Sequence, residues 1–518
     1  MNIPEYTPAL VVAIPLLGAF LTPLVGRVND KLRNIFVILI LAINAMLVAL
    51  LSYDVLVNGI QTYIFGAKDL SYPIVRILFE VDAMSVFMAI IGSIVLLVAV
   101  IYSWAFMKEN TGLDKYYTLI LLLTAGMLGM MLTGDMFNFF VFLEITSISS
   151  CALIAFRTDS AESIEAAFKY IVVSAIGALF VLFAIALLYG QYDALNIAAL
   201  SNAIQYTFLD KIALVLLIAA LGMKSGIAPM HMWLPDSYGK APATISLVLV
   251  SATLASLYGA LRVIFTLYGN VLSTISNSGI PLNVSIGWLI IALAVVSIII
   301  GVIMALIQSD FKRLIAYGAV AEIGYMFLAI GTGIAALGTQ YGETALTGGI
   351  FHIMNDAMDV GLLFLVAGAI YYSTKESSLN KMGGFARNMK YTTILFIIGF
   401  LAVSGIPPMN GFASKLLIYE STFMLNPILA IIAILGSILL LAIFVKVFYS
   451  AFMGPEIPRF KNVKEVPKSM LFAMGIIACI IIFFGLFPEL VITNIVEPAK
   501  NALMGYSGYV SQIVGGGI

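Results

Sequence analysis

Long apolar runs alternate with short polar connections along almost the whole chain, and this pattern alone predicts the architecture. A membrane-spanning helix needs roughly 20 mostly apolar residues. Fourteen runs meet that length, at about 8–25, 34–57, 82–106, 116–133, 136–156, 166–190, 211–230, 241–268, 286–308, 312–337, 345–372, 391–418, 426–453 and 469–490. The expected fold is all-α and integral to the membrane. No basic segment precedes the first run, so it reads as a permanent helix rather than a cleaved leader. The tail from 491 is short and weakly amphipathic.

Basic residues test this count, because short cytoplasmic loops collect lysine and arginine. Connections after odd-numbered spans hold seventeen, from Arg27, Lys31 and Arg33 at one end to Arg459, Lys461, Lys464 and Lys468 at the other. Connections after even-numbered spans hold only Lys68, Arg76 and Lys211. A miscount by one in mid-chain would scramble this asymmetry. The expectation is a multi-pass plasma-membrane protein with both termini on the non-cytoplasmic side.

A repeat refines the picture. Ser225-Gly226-Ile227-Ala228-Pro229-Met230 in the seventh span recurs as Ser404-Gly405-Ile406-Pro407-Pro408-Met409 in the twelfth. Proline in mid-span removes a backbone hydrogen bond and breaks the helix. Irregular backbone survives at that depth only where it lines a cavity or is buried in protein. The copies lie five spans apart, an odd number, so the second unit must run the opposite way. Spans 4–8 and 9–13 are then two inverted five-helix repeats with broken helices 7 and 12, an arrangement suited to ion translocation. Coincidental proline kinks in an ordinary bundle are the alternative. The chain divides into an N-terminal three-helix segment (1–110), a first repeat (111–270), a second (285–453) and a C-terminal helix with its tail (454–518).

Composition supports the membrane reading and narrows the chemistry. The chain is 62% hydrophobic and 10% charged, whereas soluble domains are about 45–50% apolar and about 25% charged. A net charge of −1 argues against a nucleic-acid partner. Two cysteines, Cys151 and Cys479, and two histidines, His231 and His352, are too few to ligate haem, iron–sulfur or structural zinc. No cofactor and no metal are expected on this chain, and any redox chemistry belongs to other subunits.

Against this background the charges inside spans are conspicuous, since each costs about 2.5–3.5 kcal/mol at the bilayer centre. Glu144 lies deep in span 5, Lys224 just before the break in span 7, and Lys415 two turns after the break in span 12. Lys169 opens span 6, Glu322 is within span 10, and Lys446 is late in span 13. On span 11, His352, Asp356 and Asp359 have i, i+4, i+7 spacing and share one face. Some have plainer readings. Lys169 and Lys446 can snorkel to an interface, His352 and Asp356 can pair as an interhelical tie, and Arg262 reads as an interfacial anchor. Glu144 and Lys224 resist such readings best. An opposite charge about 4 Å from a buried lysine is worth roughly 4 kcal/mol at an effective dielectric of 20. A lysine so paired keeps its proton while the glutamate is near and releases it when they separate.

At these residues the chain resembles the antiporter-like membrane subunits shared by respiratory complex I, Mrp-type multisubunit cation/proton antiporters (their D-type component especially) and membrane-bound hydrogenases. The motifs include Val81-Asp82-Ala83-Met84-Ser85, Phe142-Leu143-Glu144, Lys224 through Pro229 to Trp233-Leu234-Pro235-Asp236, Gln308-Ser309-Asp310-Phe311-Lys312-Arg313, and Asn410-Gly411-Phe412-Ala413-Ser414-Lys415. The resemblance implies proton translocation along a polar axis, with Glu144 tuning Lys224 and the proton passing toward Lys415. His231 either aids the relay or caps the break. Two departures stand out. Leu254 occupies a position on span 8 where the family carries a base. On span 11 Asp356 and Val360 replace a histidine and a lysine. Asp356, Asp359 and Glu322 then either reroute the path, favour a cation such as Na⁺, or accompany a loss of conduction. The implied partners are other membrane subunits, with iron–sulfur or other redox subunits in the assembly, and the lipid bilayer. The expected function is ion translocation within a redox-driven complex of hydrogenase or complex I type. The alternatives are a stand-alone Mrp-type Na⁺/H⁺ antiporter and a non-conducting scaffold of the same fold.

Overall fold

The computed structural model of the chain describes residues 4–65, 77–158, 160–275 and 279–514; Lys68 and Arg76, counted above, lie outside the described residues. Two helices, α1 (Thr7–Gly26) and α2 (Asp30–Asn58), lead into an antiparallel hairpin of β1 (Gln61–Ile64) and β2 (Leu78–Val81), with Gln61 opposite Val81. Next come α3 (Ala83–Phe106), α4 (Leu113–Leu132), α5 (Met136–Ile154) and α6 (Ala161–Tyr192). A short α7 (Ile197–Ala203) precedes α8 (Phe208–Ser225) and α9 (Trp233–Lys240). Then α10 (Ala243–Leu261) continues as a π-helical turn over Arg262–Leu267, followed by α11 (Leu282–Leu306), α12 (Phe311–Ala335) and α13 (Gln340–Thr374). The remainder is α14 (Phe385–Asn388), α15 (Lys390–Val403), α16 (Asn410–Leu425), α17 (Pro427–Val447), α18 (Lys468–Leu486), α19 (Pro488–Val491), α20 (Glu497–Met504) and α21 (Tyr506–Val514). Twelve of these helices are long and apolar enough to cross a membrane. The chain is an all-α integral membrane protein apart from its small hairpin.

Capping residues set several helix starts, their side chains accepting the free N–H groups of the first turn. Asp135 accepts from Asn138 N at 2.7 Å before α5, and Asp310 from Arg313 N at 3.0 Å before α12. Two of the apolar runs are interrupted, at the two glycine–proline motifs. The 211–230 run stops at Ser225 and resumes as α9, so the connection holding Lys240 is itself helical. The 391–418 run divides into α15 and α16, and α16 extends to Leu425. At both stops a glycine adopts the left-handed conformation, φ +75° at Gly226 and +70° at Gly405, which side-chain-bearing residues resist. Prolines follow and withhold the N–H that would continue the helix.

The helices sort by what surrounds them. In α10, α12 and α13 the whole most apolar stretch is buried in protein, whereas α1, α2 and α18 bury a third of theirs. The former make a central row and the latter lie at its outside, largely exposed. Burial inside protein is what permits ionisable groups at membrane depth, and most of the predicted charges lie on this row or against it. Residues 492–514 are largely helical, and Tyr509 on α21 is buried against Arg262, its ring 4.9 Å from the guanidinium.

Candidate functional site

The first half of the site forms where α8 breaks. Gly226 N and Ile227 N bond back to Met223 O and Gly222 O at 3.2 Å, closing the helix end as a left-handed cap does. The Trp233 indole donates to Met223 O at 3.0 Å, and Ala228 N donates to Ser297 Oγ on α11 at 3.2 Å. With its orphan backbone groups answered in this way the break is stable in apolar surroundings. Lys224, in the last turn of α8, is buried and donates to Ser147 Oγ on α5 at 2.5 Å. No carboxylate pairs with it among the described residues. Glu144, one turn before Ser147, acts on it through space and keeps one buried carboxylate oxygen without a partner. A cavity of about 20 Å³ adjoins Lys224, lined by Ser147, Tyr170, Ser174, Thr253 and Ser256 among others. One water needs roughly 10–15 Å³ and a few polar partners, so this space suits a bridging water.

The second half is denser. Glu322 on α12 accepts from Lys415 Nζ on α16 at 2.8 Å through one oxygen, and meets His352 Nε2 on α13 at 2.9 Å through the other. An ionised carboxylate only accepts, so the histidine proton facing it is on Nε2. His352 Nδ1 lies 3.0 Å from Ser414 Oγ, and Asn355 Nδ2 donates to the same hydroxyl at 2.9 Å. Lys415 also donates to Val403 O at 2.7 Å. That carbonyl belongs to the end of α15, where the helix dipole is negative, so the lysine bridges the break from the far side. Ser437 Oγ lies 3.3 Å from Lys415 and links onward to Tyr419 and Tyr325. Asp359 accepts from Asn410 Nδ2 at 2.9 Å, while Asp356 keeps one oxygen without a partner.

Between the halves stands Tyr238 on α9. Its hydroxyl bonds Thr253 Oγ1 and Leu249 O on α10, and the Asp356 carboxylate acts on it electrostatically. Leu254 and Val360 are both buried apolar residues. Hydroxyls and carboxylates therefore populate this region in place of the bases expected at those two positions.

Several expected residues fall elsewhere. Lys169 is about half exposed and pairs with Glu165 and Asp236, each at 2.8 Å. His231 is buried in the break with Nδ1 unpartnered. Lys446 is exposed, as a snorkelling lysine would be. His352 and Asp356 do not pair; Glu322 from the facing helix takes the imidazole instead. Arg262 turns inward rather than outward as an anchor would: it is buried, paired with Asp82 at the start of α3 and bonded to Ser85 and Tyr258. Sequence reading assigned no role to the uncharged members Ser147, Tyr238, Thr253, Ser414, Asn410 and Ser437. Asn410 and Ser414 stood in the motif that ends at Lys415, and Ser147 lay one turn beyond a buried glutamate; the others carried no signal.

One register correspondence links the halves. Both α5 and α12 start from a capping aspartate, Asp135 and Asp310. Counting from each cap, Ser147 and Glu322 occupy the same twelfth position. Each is a side chain that its half's lysine contacts.

A family model described as the transmembrane region of NADH:quinone oxidoreductase and Mrp antiporter proteins matches residues 133–441. The chain belongs to this family. The matched region runs from the start of α5 into α17 and contains every group of both halves. Among relatives of the NADH:quinone oxidoreductase/Mrp antiporter family, the D component of the Na⁺/H⁺ antiporter of Bacillus subtilis (strain 168) is 30% identical over 509 residues, covering 98% of each chain. The N component of the NADH-quinone oxidoreductase of Desulforudis audaxviator is 29% identical over 522 residues, covering 95% of this chain and 98% of the relative. A chain of the membrane-bound sulfane sulfur reductase, an archaeal respiratory membrane complex, superposes with a TM-score of 0.85 at 27% identity, covering 98% of this chain and 99% of its own.

Proposed function

We propose that the chain is an ion-translocating, multi-pass subunit of a larger membrane assembly, moving protons between a site at Lys224 and a site at Lys415. The observation that carries this is the buried Glu322–Lys415–His352 cluster built across a broken helix, with a serine-held lysine at the other break. Single charges at such depth are costly, and here two breaks and three helices are arranged around them. The polar groups between Lys224, Tyr238, Asp356 and Asp359 supply the route. On this reading Glu144 tunes Lys224 at a distance, His231 assists at the first break, and Lys169 stays at the edge as a helix tie. The acidic character of the second half leaves Na⁺ as a second ion the path could admit.

The same proposal includes the finer architecture. Twelve continuous spans plus the interrupted pairs α8–α9 and α15–α16 make fourteen, in two inverted repeats within 111–270 and 285–453, flanked by 1–110 and 454–518. Both termini face away from the cytoplasm of a plasma membrane. The partners are other membrane subunits, and the driving reaction is redox chemistry on iron–sulfur subunits of a hydrogenase- or complex I-type assembly. This chain carries no cofactor of its own. The identity to the D component of a Bacillus Na⁺/H⁺ antiporter favours, as a second reading, a stand-alone Mrp-type antiporter.

Lys224→Met tests the core of the proposal. Translocation by the assembled complex in vesicles, read with a pH-sensitive dye, should fall to background while the complex still assembles. A scaffold subunit of the same fold would leave transport intact in this variant.

A further inference from the structure

A cleft of about 310 Å³ runs between α8 and α11 on the face away from the two lysine sites. Its mouth holds Tyr206 and Lys211 beside the start of α8, and its walls are almost entirely apolar, Ala219 and Leu289 among them. It extends from Lys211 to Gly222 along one wall and from Leu282 to Leu293 along the other. Eleven residues of helix at 1.5 Å each make about 16 Å. One leaflet of a bilayer core about 30 Å thick is about 15 Å deep. The cleft is therefore as long as a leaflet, from the membrane edge to the midplane.

Its width decides what can enter. About 310 Å³ open to the centres of water-sized atoms, spread over about 16 Å, leaves a section of about 19 Å², and adding a radius of about 1.4 Å on each side makes the slot about 8 Å wide, against the 10–12 Å that a helix with its side chains needs. An extended alkyl chain enters such a slot, and a whole transmembrane helix does not. The mouth supplies the complementary charge. The Lys211 ammonium lies 4.5 Å over the Tyr206 ring and forms no ion pair among the described residues. Its neighbour Asp210 turns inward, accepting from the Tyr192 hydroxyl and Thr207 N. Lys211 is also one of only three bases in the connections on its side of the chain. An unneutralised ammonium and a tyrosine at headgroup level are what an anionic lipid meets at an interface.

We propose that this cleft binds one acyl chain of an anionic phospholipid, with its phosphate on Lys211. The chain's end would rest on Gly222, Ile227 and Met230, which form the outer side of the helix break. Lys224, two residues beyond Gly222, points about 200° away around the same helix, so the lipid props from outside the backbone that presents this lysine inside.

The test is native mass spectrometry of the full-length protein, with whatever subunits it retains, after exposure to phosphatidylglycerol or phosphatidylcholine. The wild type should keep one phosphatidylglycerol in preference to phosphatidylcholine. Lys211→Gln should weaken phosphatidylglycerol retention about fivefold and leave phosphatidylcholine unchanged. Ala219→Phe, which fills the slot, should remove both. Unchanged phosphatidylglycerol retention in Lys211→Gln overturns the proposal, and that variant needs no cleft repacking to fold. A crosslink from Ala219→Cys to a partner subunit would assign the cleft to protein and overturn it as well.

Discussion

Replacing Glu322 by glutamine removes one negative charge from a position that an ammonium and an imidazole share. The Lys415–Glu322 separation is 2.8 Å with both side chains almost fully buried. At an effective dielectric of 20 this attraction is about 6 kcal/mol before desolvation is counted. Glutamine returns part of it, because its amide oxygen still accepts one hydrogen bond. What remains is a buried ammonium held by Val403 O and Ser437, and breaking one side of a buried pair typically costs about 3–5 kcal/mol. Glu322→Gln should therefore destabilise the protein by about that amount in denaturant unfolding in detergent and abolish translocation in vesicles. Glu322→Gln combined with Lys415→Met removes both charges, and such replacements are often neutral. The double variant should regain most of the lost stability while remaining inactive. If the single variant were as stable as wild type, or the double variant no better than the single, the Glu322–Lys415 contact would not be the pair described above.

Two further outcomes follow from the first half of the molecule. Burial pushes the Asp135 carboxyl, at the cap of α5, up to about 6 from its ordinary 3.8, so its contribution is present below about pH 4 and lost as pH rises through about 6. That is about 3 kcal/mol, and Asp135→Asn, which still caps, should flatten the unfolding stability between pH 4 and 7 relative to wild type; parallel pH curves would refute it. Ser147→Glu places at the first lysine the carboxylate found at the second, and should raise thermal stability while slowing proton translocation, because Lys224 gains a direct ion pair. Faster transport in that variant would contradict a role for weak tethering.

Much of this fold was legible because its cause is local. Apolar runs of spanning length and glycine–proline punctuation each act within one helix, so the helices and both breaks could be placed from the chain alone. The misreadings have the opposite origin. Arg262 read as an interfacial anchor because it lies late in its span, but its partner Asp82 is 180 residues earlier. His352 and Asp356 share a face at i, i+4, yet a facing helix supplies Glu322, 30 residues away, and proximity along one helix says nothing about that competition. The roles of the hydroxyls and amides were hidden for another reason. Serine, threonine and small residues are also what membrane helices use simply to pack closely, so their role depends on what stands opposite.

That dependence explains the contrast between the two lysines. In the second half a glutamate stands twelve residues past its capping aspartate, and Lys415 is clamped by three partners from three elements. In the first half a serine holds the same position, and the nearest carboxylate, Glu144, is one turn off register. A clamped ammonium gives up its proton only when its counter-charge is neutralised or moved, whereas a singly tethered one responds to smaller changes nearby. If protons pass as proposed, two lysines of unequal hold, joined by hydroxyls and carboxylates, would set an order: the loosely held site would exchange readily, and the clamped site would commit only when Glu322 changes state. His352 is placed to change it, because it holds the other oxygen of the same carboxylate.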